Sequence, residues 1–307
     1  MIAGIDIGGT TSKIGLVRDG HIVGRARIAT TGHADEHAFA DTLARETLRM
    51  GEEFGASVTS MGIGAPNANQ LTGVIEMAPN LPWKNEVPLA RMLEDRLGVP
   101  CVLGNDANAA ALGEWRYGAG RGIEDLLVVT LGTGVGSGFI IGGRLVLGSA
   151  GNAGELGHTI LHPQGRPCTC GRRGCLEAYV SIRGIRRTYA ELSGTEDGHG
   201  ILAGEGVLPI AEAARQSDPH AQRTFHHTVD HLAIGLANAV CFSGPRRIVL
   251  FGGIARNGDL IMAPLRDRFA ARLLNIYQGR VDLMASALPE DDAALLGAAA
   301  LGDPFDP

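Results

Sequence analysis

Short apolar runs alternate with glycine-containing turns at the start of the chain, in IAGIDIGGTTSKIGLVRDGHIVGRARIA. The turns fall at Gly8-Gly9 and at Asp19-Gly20. An Asp-Gly pair between two alternating runs is a strong signal for a β-hairpin. The pattern therefore predicts three successive strands joined by two tight turns.

The same pattern returns in DLLVVTLGTGVGSGFIIGGRLVLG, which begins at Asp125. A shift of 123 residues places Gly9-Thr10 on Gly132-Thr133 and Asp19-Gly20 on Gly142-Gly143. Glycine hairpins resemble one another, but several features matched in register favour an internal duplication. Two similar mixed sheets with helices predict an α/β fold of two lobes with a cleft between them.

Helical periodicity and short buried runs predict the elements between and after the two repeats. Helices are predicted over 36–54, 88–97, 107–118 and 219–242, and for the closing stretch DDAALLGAAALG. Buried strands are predicted for SMGIGAP, PCVLGND and RRIVLFGG.

Composition narrows the functional classes. The chain has 307 residues, 45% hydrophobic and 20% charged, which is typical of globular proteins with one large or two medium domains. A formal net charge of −6 argues against nonspecific nucleic-acid binding. No apolar run reaches the roughly 18–20 residues of a membrane span, and no signal peptide is evident, so a cytoplasmic location is expected.

Cys101 and Cys241 lie in apolar surroundings and are expected to be buried thiols.

The other three cysteines, Cys168, Cys170 and Cys175, are clustered, and His158 precedes them. Together they form a Cys₃His set of the kind that binds zinc. Four protein ligands leave no open coordination position, so the zinc is expected to be structural. A redox thiol cluster is the lesser alternative, because the segment contains no plain Cys-x-x-Cys.

Two carboxylates flank this cluster, Glu155 before His158 and Glu177 after Cys175. If one ring nitrogen of His158 binds zinc, the other can bind a second partner. Ionised acceptors bind hydroxyl groups strongly, which suits recognition of a polyol. We therefore interpret the segment as a zinc site and a sugar site that share His158.

The glycine turns that follow the first strand of each repeat do not fit the common nucleotide motifs, GxxxxGK[ST] and GxGxxG before a helix. Each lies between two strands, where backbone N–H groups can hold phosphate oxygens. For either turn taken alone, a tight hairpin without a ligand is the alternative interpretation. Because the two turns occupy equivalent positions in the two repeats, phosphate binding is favoured. Thr10, Thr11 and Thr133 could add hydroxyl donors, Asp6 could hold Mg²⁺, and Gly252-Gly253 is a candidate for the nucleoside part.

Asn105 and Asp106 stand where a predicted buried strand meets a helix, which is where α/β sheets present side chains to ligands. An N-cap aspartate is the alternative of equal weight. In a kinase, a carboxylate accepts the proton of the attacking hydroxyl, and Asp106 suits that role.

His227 and His231 are four residues apart in the predicted helix 219–242, a spacing that suits a metal ion. Because acidic or thiol ligands are lacking nearby in the sequence, we interpret both as surface residues.

Five motifs resemble those of the ROK family of repressors and sugar kinases, within the actin and hexokinase-like ATPase superfamily. They occur in order as GIDIGGTTSKIGLV, APNLPW, GNDANAAALGEWRYGAGRG, VTLGTGVGSGFIIGGRLVLG and GELGH…CTCGRRGCLE. The resemblance covers nearly the whole chain. It implies two ribonuclease-H-like lobes that close on a sugar and MgATP, with the final helix packed against the first lobe.

The resemblance also implies residue roles. Asp106 matches the catalytic base. The sugar ligands match Asn67, Asn80, Asn105, Asp106, Glu155, His158 and Glu177. The zinc ligands match His158, Cys168, Cys170 and Cys175. The ATP phosphate loops match the stretch with Gly8, Gly9, Thr10, Thr11 and Lys13 and the stretch with Gly132, Thr133, Gly134 and Gly136.

The expected lobes are 1–112 with 291–307, and 113–290 with a zinc-binding segment at 158–175. The expected activity is ATP-dependent phosphorylation of the 6-hydroxyl of glucose, because GAPNANQLTGVIEMAPNLPWKN looks most like bacterial glucokinases. N-acetylmannosamine, N-acetylglucosamine and fructose are alternative substrates. A transcriptional regulator is less expected, since the first strand begins by Ile2 and leaves no room for a helix-turn-helix, and a sugar-sensing regulator without catalysis is a third option. Members of the family that the chain resembles are usually dimers, so a homodimer is expected.

Overall fold

A computed structural model describes residues 1–78 and 80–303. These residues group into two compact units. Unit 1 comprises Met1–Glu124, Gly138–Gly154 and the chain from Ala287 onward, and unit 2 comprises Asp125–Ser137 and Glu155–Ser286. The lobe boundaries expected from the sequence stay a prediction, and the expected end of the first lobe at 304–307 lies outside the described residues.

The first sheet has the strand order β3-β2-β1-β4-β7. Strands β1, β2 and β3 pair antiparallel, whereas β1, β4 and β7 run parallel. Its strands, with the small β5–β6 hairpin, are β1 (Ile2–Ile7), β2 (Thr11–Arg18), β3 (His21–Ala29), β4 (Ser60–Ala65), β5 (Ala68–Asn69), β6 (Val74–Ile75) and β7 (Cys101–Asn105).

The second sheet repeats this order as β10-β9-β8-β11-β12, with β8, β11 and β12 parallel. Its strands are β8 (Leu126–Leu131), β9 (Val135–Ile141), β10 (Arg144–Leu145), β11 (Arg247–Phe251) and β12 (Asp282–Ala285). The predicted hairpin turns are equivalent too: φ is 51° and 76° at Asp19-Gly20, and 56° and 73° at Gly142-Gly143. Two successive positive φ angles are what a type I′ hairpin turn requires. The repeated α/β architecture predicted from the sequence is confirmed.

The predicted helices are also confirmed, within one or two residues at their ends. The helices are α1 (Glu36–Glu53), α2 (Leu89–Leu97), α3 (Asp106–Tyr117), α4 (Glu177–Val180), α5 (Ile182–Ser193), α6 (Leu208–Arg215), α7 (Pro219–Ser243), α8 (Ala263–Ala270) and α9 (Glu290–Leu301). Asp35 and Asp218 cap α1 and α7 by accepting backbone N–H groups, and Gly244 ends α7 in the left-handed conformation. Among residues 1–78 and 80–303, none of the helices combines the length and the hydropathy that a membrane span requires.

Glycines in the first sheet let α9 lie directly on it. A Cβ atom at Gly62 of β4 would lie 1.8 Å from the carbonyl oxygen of Ala298. A Cβ atom at Gly4 of β1 would lie 2.2 Å from the carbonyl oxygen of Leu295. The backbones therefore touch where a side chain would separate them. The expected packing of the final helix against the first lobe is confirmed.

The core of unit 1 lies along the parallel strands. Ile5, Ile63 and Leu103 stand side by side on β1, β4 and β7 and are fully buried, together with Phe39 and Leu43 of α1. Large apolar side chains in such a layer dominate stability, since burying each contributes roughly 1.5–3 kcal/mol. This rigid layer fixes the positions of the loops at the strand ends.

The two remaining cysteines differ in environment. Cys101 is buried at the start of β7, as predicted, whereas Cys241 is exposed. Cys241 lies in the last turn of α7 beside Phe242, which is 93% exposed. The prediction for Cys241 is wrong because this turn presents apolar residues to the surface.

Candidate active site

Several candidate residues of unit 1 meet at one edge of its sheet. Strands β1, β4 and β7 are parallel, so their carboxyl ends lie at the same edge. Gly8 follows β1, Asn67 follows β4 after one residue, and Asp106 follows β7 directly. This is the edge at which open α/β sheets bind ligands.

Asp106 is the first residue of α3, and its Oδ1 accepts a hydrogen bond from the N–H of Ala107 at 2.8 Å. Solvent reaches Asp106, but surrounding protein limits the hydration of its carboxylate. This desolvation raises its pKa above the usual value, against the opposing effect of backbone hydrogen bonds. The N-cap of the helix is Asn105, whose Oδ1 accepts from the same N–H at 2.9 Å. The capping role considered for Asp106 therefore belongs to Asn105, which keeps an amide NH₂ suited to a hydroxyl oxygen.

Asp6 lies near Asp106 and opposite Lys13 in the β1–β2 pair. Desolvation raises the pKa of Asp6, Lys13 lowers it, and the nearby charge of Asp106 raises it further. Two neighbouring carboxylates in a poorly hydrated place attract a divalent cation. The carboxylate oxygens present therefore fit Mg²⁺.

The loop from Gly8 to Thr11 is held by its own backbone. The N–H of Gly8 donates to the carbonyl of Thr11 at 3.2 Å, and the N–H of Thr30 donates to the carbonyl of Thr10 at 2.9 Å. A Cβ atom at Gly9 would lie 2.7 Å from the carbonyl oxygen of Asn80. Asn80, a candidate sugar ligand, therefore lies beside this candidate phosphate loop.

Asn67 occupies a strained position after β4. Its φ is +51°, in the left-handed region that non-glycine residues rarely adopt. Its carbonyl accepts from the N–H of Glu76 at 2.9 Å, and its Nδ2 donates weakly to the carbonyl of Met77 at 3.5 Å. Such strain persists only where surrounding contacts impose it, and it is common at ligand sites.

In unit 2, the loop from Gly132 to Gly136 follows β8. The N–H of Gly132 donates to the carbonyl of Gly134 at 3.0 Å, and the N–H of Gly136 donates to Oγ1 of Thr130 at 3.1 Å. Thr133 at its tip is exposed.

Gly252 and Gly253 follow the neighbouring parallel strand β11, so they lie at the same edge as this loop. Gly252 has φ +103°, and a Cβ atom there would lie 2.4 Å from the carbonyl oxygen of Leu131. Only glycine fits this approach.

The predicted zinc ligands are brought together in unit 2. The ligand atoms of His158, Cys168, Cys170 and Cys175 all lie within 4.8 Å of one another. Nδ1 of His158 is 3.7 Å from Sγ of Cys168, and Sγ of Cys170 is 3.6 Å from Sγ of Cys175. Thiolates around a tetrahedral zinc ion, with bonds of about 2.3 Å, are separated by about 3.8 Å. The donor set therefore fits a structural zinc ion.

The two ring nitrogens of His158 face different partners. Nδ1 faces the cysteine cluster, and Nε2 lies 3.9 Å from Oε2 of Glu155. Residues Leu156–His158 form a single 3₁₀ turn that begins after Glu155, which places the two side chains on one side. His158 can therefore bind zinc through Nδ1 and face a hydroxyl ligand through Nε2.

Glu177 connects the zinc segment with the loop after β8. Its Oε2 accepts from the N–H of Val135 at 3.0 Å, and its Oε1 accepts from the hydroxyl of Thr169 at 3.1 Å. Gly134 leaves room for this carboxylate, because a Cβ atom there would lie 2.8 Å from Oε2. Two donors thus fix a charged acceptor.

Sequence reasoning missed Thr169 and the N–H of Val135 as groups that orient Glu177. Thr169 lies between Cys168 and Cys170, so its position inside the zinc motif could have indicated it. Val135 is 42 residues away in sequence, and its contribution is a backbone group that no side-chain pattern reveals. Thr133, Thr169, Glu177 and Arg183 also line a small cavity of about 60 Å³.

Comparison with known proteins agrees with this arrangement. The profile of the ROK family matches residues 2–303. The glucokinase of Thermotoga maritima is 36% identical over 310 residues, which cover 98% of this chain and 96% of that protein.

Two crystal structures are similar over nearly their whole length. The ROK hexokinase of Thermus thermophilus has a TM-score of 0.86 and is 33% identical in sequence. The matched region covers 98% of this chain and 97% of the hexokinase chain. A ROK family glucokinase of Streptomyces griseus, in complex with glucose and AMPPNP, has a TM-score of 0.80 and 35% identity, with 98% of each chain covered. The expected actin and hexokinase-like fold is confirmed by these similarities. The match of the family profile to residues 2–303 and the full-length similarity to its members show that the chain belongs to the ROK family.

Proposed function

We propose that this protein is a glucokinase, which transfers the γ-phosphoryl group of ATP to the 6-hydroxyl of glucose. The observation that carries the proposal is the full-length similarity to glucokinases, one of them solved with glucose and AMPPNP, in a chain that keeps Asp106 at the edge of its sheet. N-acetylmannosamine, N-acetylglucosamine and fructose are the alternative acceptors.

Asp106 acts as the general base. It accepts the proton of the 6-hydroxyl as that oxygen attacks the phosphoryl group. A pKa raised by desolvation makes the carboxylate a better proton acceptor than a fully hydrated aspartate. General base catalysis of this kind contributes roughly 10²–10⁴-fold to the rate.

The glycine loops hold the phosphates. Backbone N–H groups of the loops with Gly8-Gly9 and Gly132–Gly136 face phosphate oxygens, and Thr10, Thr11 and Thr133 add hydroxyl donors. Asp6 would hold Mg²⁺, which would supply positive charge to the transferred phosphoryl group. Lys13, opposite Asp6, adds a second positive charge at this place.

Carboxylate, imidazole and amide groups bind the hexose. Glu177, oriented by Val135 and Thr169, accepts hydrogen bonds from sugar hydroxyls, as does Glu155. His158 binds a hydroxyl through Nε2. Asn105 contributes its amide group, and the sugar loops add Asn67 and Asn80.

Zinc has a structural part in this account. The thiolates of Cys168, Cys170 and Cys175 and Nδ1 of His158 would hold zinc, and this bond would fix the orientation of the His158 imidazole. We also propose a cytoplasmic homodimer.

A coupled assay for ADP release tests the proposal. Glucose, N-acetylmannosamine, N-acetylglucosamine and fructose are compared by kcat/KM with purified, zinc-loaded protein. We expect ATP-dependent turnover with glucose as the best acceptor. Absence of ADP release with every hexose would overturn the kinase assignment, and a higher kcat/KM for another sugar would overturn the choice of glucose.

A further inference from the structure

Two histidine side chains of unit 2 meet outside the groups that the proposed function uses. His162 lies in the segment between His158 and Cys168, and His231 lies in α7. Their Nε2 atoms are 3.1 Å apart. His231 is half-buried rather than a free surface residue, which corrects its interpretation from sequence. We propose that this pair binds a divalent transition-metal ion, such as Ni²⁺ or Zn²⁺, at a site separate from the Cys₃His cluster.

The hydrogen bonds of His231 place its lone pair toward His162. Nδ1 of His231 lies 2.6 Å from the carbonyl oxygen of His227. A carbonyl oxygen can only accept, so Nδ1 of His231 carries the proton, and Nε2 of the neutral ring carries a lone pair. Donation of the second ring N–H to a backbone carbonyl is the usual arrangement for a metal-binding histidine.

His162 requires only a tautomer change. In the metal-free pair its Nε2–H donates to Nε2 of His231. To bind a metal, His162 releases this proton to solvent and carries one on Nδ1, so the ring stays neutral. His162 is exposed, and such exchange with water is unobstructed.

The distance between the two nitrogens fits a shared ion. For metal–nitrogen bonds of about 2.05 Å, the nitrogens of two ligands are about 2.9 Å apart at a right angle and about 3.3 Å apart in a tetrahedron. The observed 3.1 Å lies between these values. Imidazole suits Zn²⁺, Ni²⁺ and Cu²⁺, and water would complete the coordination on the exposed side.

Tyr179 holds the two rings in place. Its ring stacks on that of His231, with centroids 4.4 Å apart and planes 4° apart, and meets His162 edge-on at 5.2 Å. The tyrosine hydroxyl accepts from the N–H of Arg166 at 3.0 Å. The pair is therefore preorganised, which reduces the entropy lost on metal binding.

The positive charge of the Arg166 guanidinium opposes the binding of a metal ion by His162 and His231. Its guanidinium carbon lies 4.9 Å from the centre of the Tyr179 ring. An ion pair with Glu191, with Nη2 and Oε2 2.6 Å apart, offsets part of its charge. The repulsion is thus reduced, and a bound ion would link the zinc segment to α7.

Titration with NiCl₂ tests the site. Untagged protein of known zinc content is titrated in a calorimeter, and the variants are His162→Asn and His231→Asn. We expect a saturable site for one Ni²⁺ per chain in the unmodified protein, and more than about tenfold weaker binding in each variant, since even loss of an orienting partner costs that much. His226→Asn is the matched control: His226 is an exposed histidine of α7, about 140° around the helix from His231, and its loss should leave the affinity unchanged.

Two further readouts keep the test decisive. Ni²⁺ bound to imidazole gives weak absorption bands, whereas Ni²⁺ bound by the cysteine thiolates gives intense charge-transfer bands. Added Ni²⁺ should also raise the melting temperature of the unmodified protein and not that of His162→Asn, whose exposed side chain leaves the fold intact. Equal Ni²⁺ affinity in His162→Asn and unmodified protein, or thiolate bands with the first equivalent, would overturn the proposal.

Discussion

Glu177 is the proposed sugar ligand whose orientation the structure shows in most detail, so replacing it gives a graded test. In Glu177→Gln the side chain keeps its shape and loses its charge. The carboxylate accepts from Val135 at 3.0 Å and from Thr169 at 3.1 Å. Hydrogen bonds to a charged group contribute about 1.5–3 kcal/mol each, and neutral ones about 0.5–1.5 kcal/mol. A sugar hydroxyl that donates to the neutral amide instead of the carboxylate should therefore bind about 1–1.5 kcal/mol more weakly, which lowers kcat/KM for glucose by roughly five- to twelvefold. Weaker orientation by Val135 and Thr169 should add to this loss.

Thr169→Val is the matched partner of this change. It removes one exposed hydroxyl that donates to Oε1 of Glu177, and we expect that hydroxyl to act on the sugar through Glu177. Because the bond is exposed, its loss should cost about 0.5–1 kcal/mol, or roughly two- to fivefold, mainly in KM for glucose. In the double variant, Thr169→Val should add almost nothing to Glu177→Gln, which gives a coupling energy in a double-mutant cycle.

The assay is ADP release with glucose varied at saturating ATP. Zinc content is measured for every variant, because Oε1 of Glu177 lies 3.7 Å from Sγ of Cys168 and Thr169 is the next residue in the chain. Thr195→Val serves as the threonine control, since Thr195 follows α5 and is not a candidate site residue. Additive effects of the two substitutions, or an unchanged kcat/KM in Glu177→Gln, would refute the reasoning.

Acidification, zinc removal and a glycine substitution each have an expected outcome. Desolvation raises the pKa of Asp106, and only its unprotonated form accepts a proton. On acidification, kcat/KM for glucose should therefore fall at a pH above the ordinary aspartate range. A fall that begins only within the ordinary aspartate range would contradict this prediction. Removing zinc should weaken glucose binding, measured by calorimetry, before nucleotide binding, and unchanged glucose affinity in folded, metal-free protein would argue against the shared His158. Gly62→Ala should lower the free energy of unfolding in urea by about 2 kcal/mol or more, because its Cβ would lie 1.8 Å from a carbonyl oxygen of α9. The control is Gly258→Ala, whose Cβ meets open space and which should change the free energy of unfolding by less than about 0.5 kcal/mol.

Local patterns in the sequence predicted most of the fold. The hairpins, the buried strands and helices such as α1 and α7 follow from hydrophobic periodicity and turn residues that act over a few positions. The shift of 123 residues predicted a repeat, and both sheets have the same strand order. Capping was less predictable, because Asn105 and Asp106 both accept from the same N–H and only geometry identifies the cap.

Contacts between distant residues were not predictable. The cysteine cluster was recognisable since three ligands lie within eight residues, but the donors to Glu177 and the contact of His162 with His231 join separate segments. Asn69 is a further case: it is buried, and its amide donates to Glu76 and to the carbonyl of Ala150, 81 residues away. Nothing in the sequence around Asn69 indicates such a partner.

Asp106→Asn tests the central claim most directly, because asparagine keeps the shape of the side chain and cannot act as the base. The measurement is kcat for ADP release with glucose, alongside glucose binding by calorimetry. We predict that kcat falls by roughly 10²–10⁴-fold while glucose affinity changes little. A kcat within a few-fold of the unmodified protein would contradict the assignment of Asp106 as the base that activates the sugar hydroxyl.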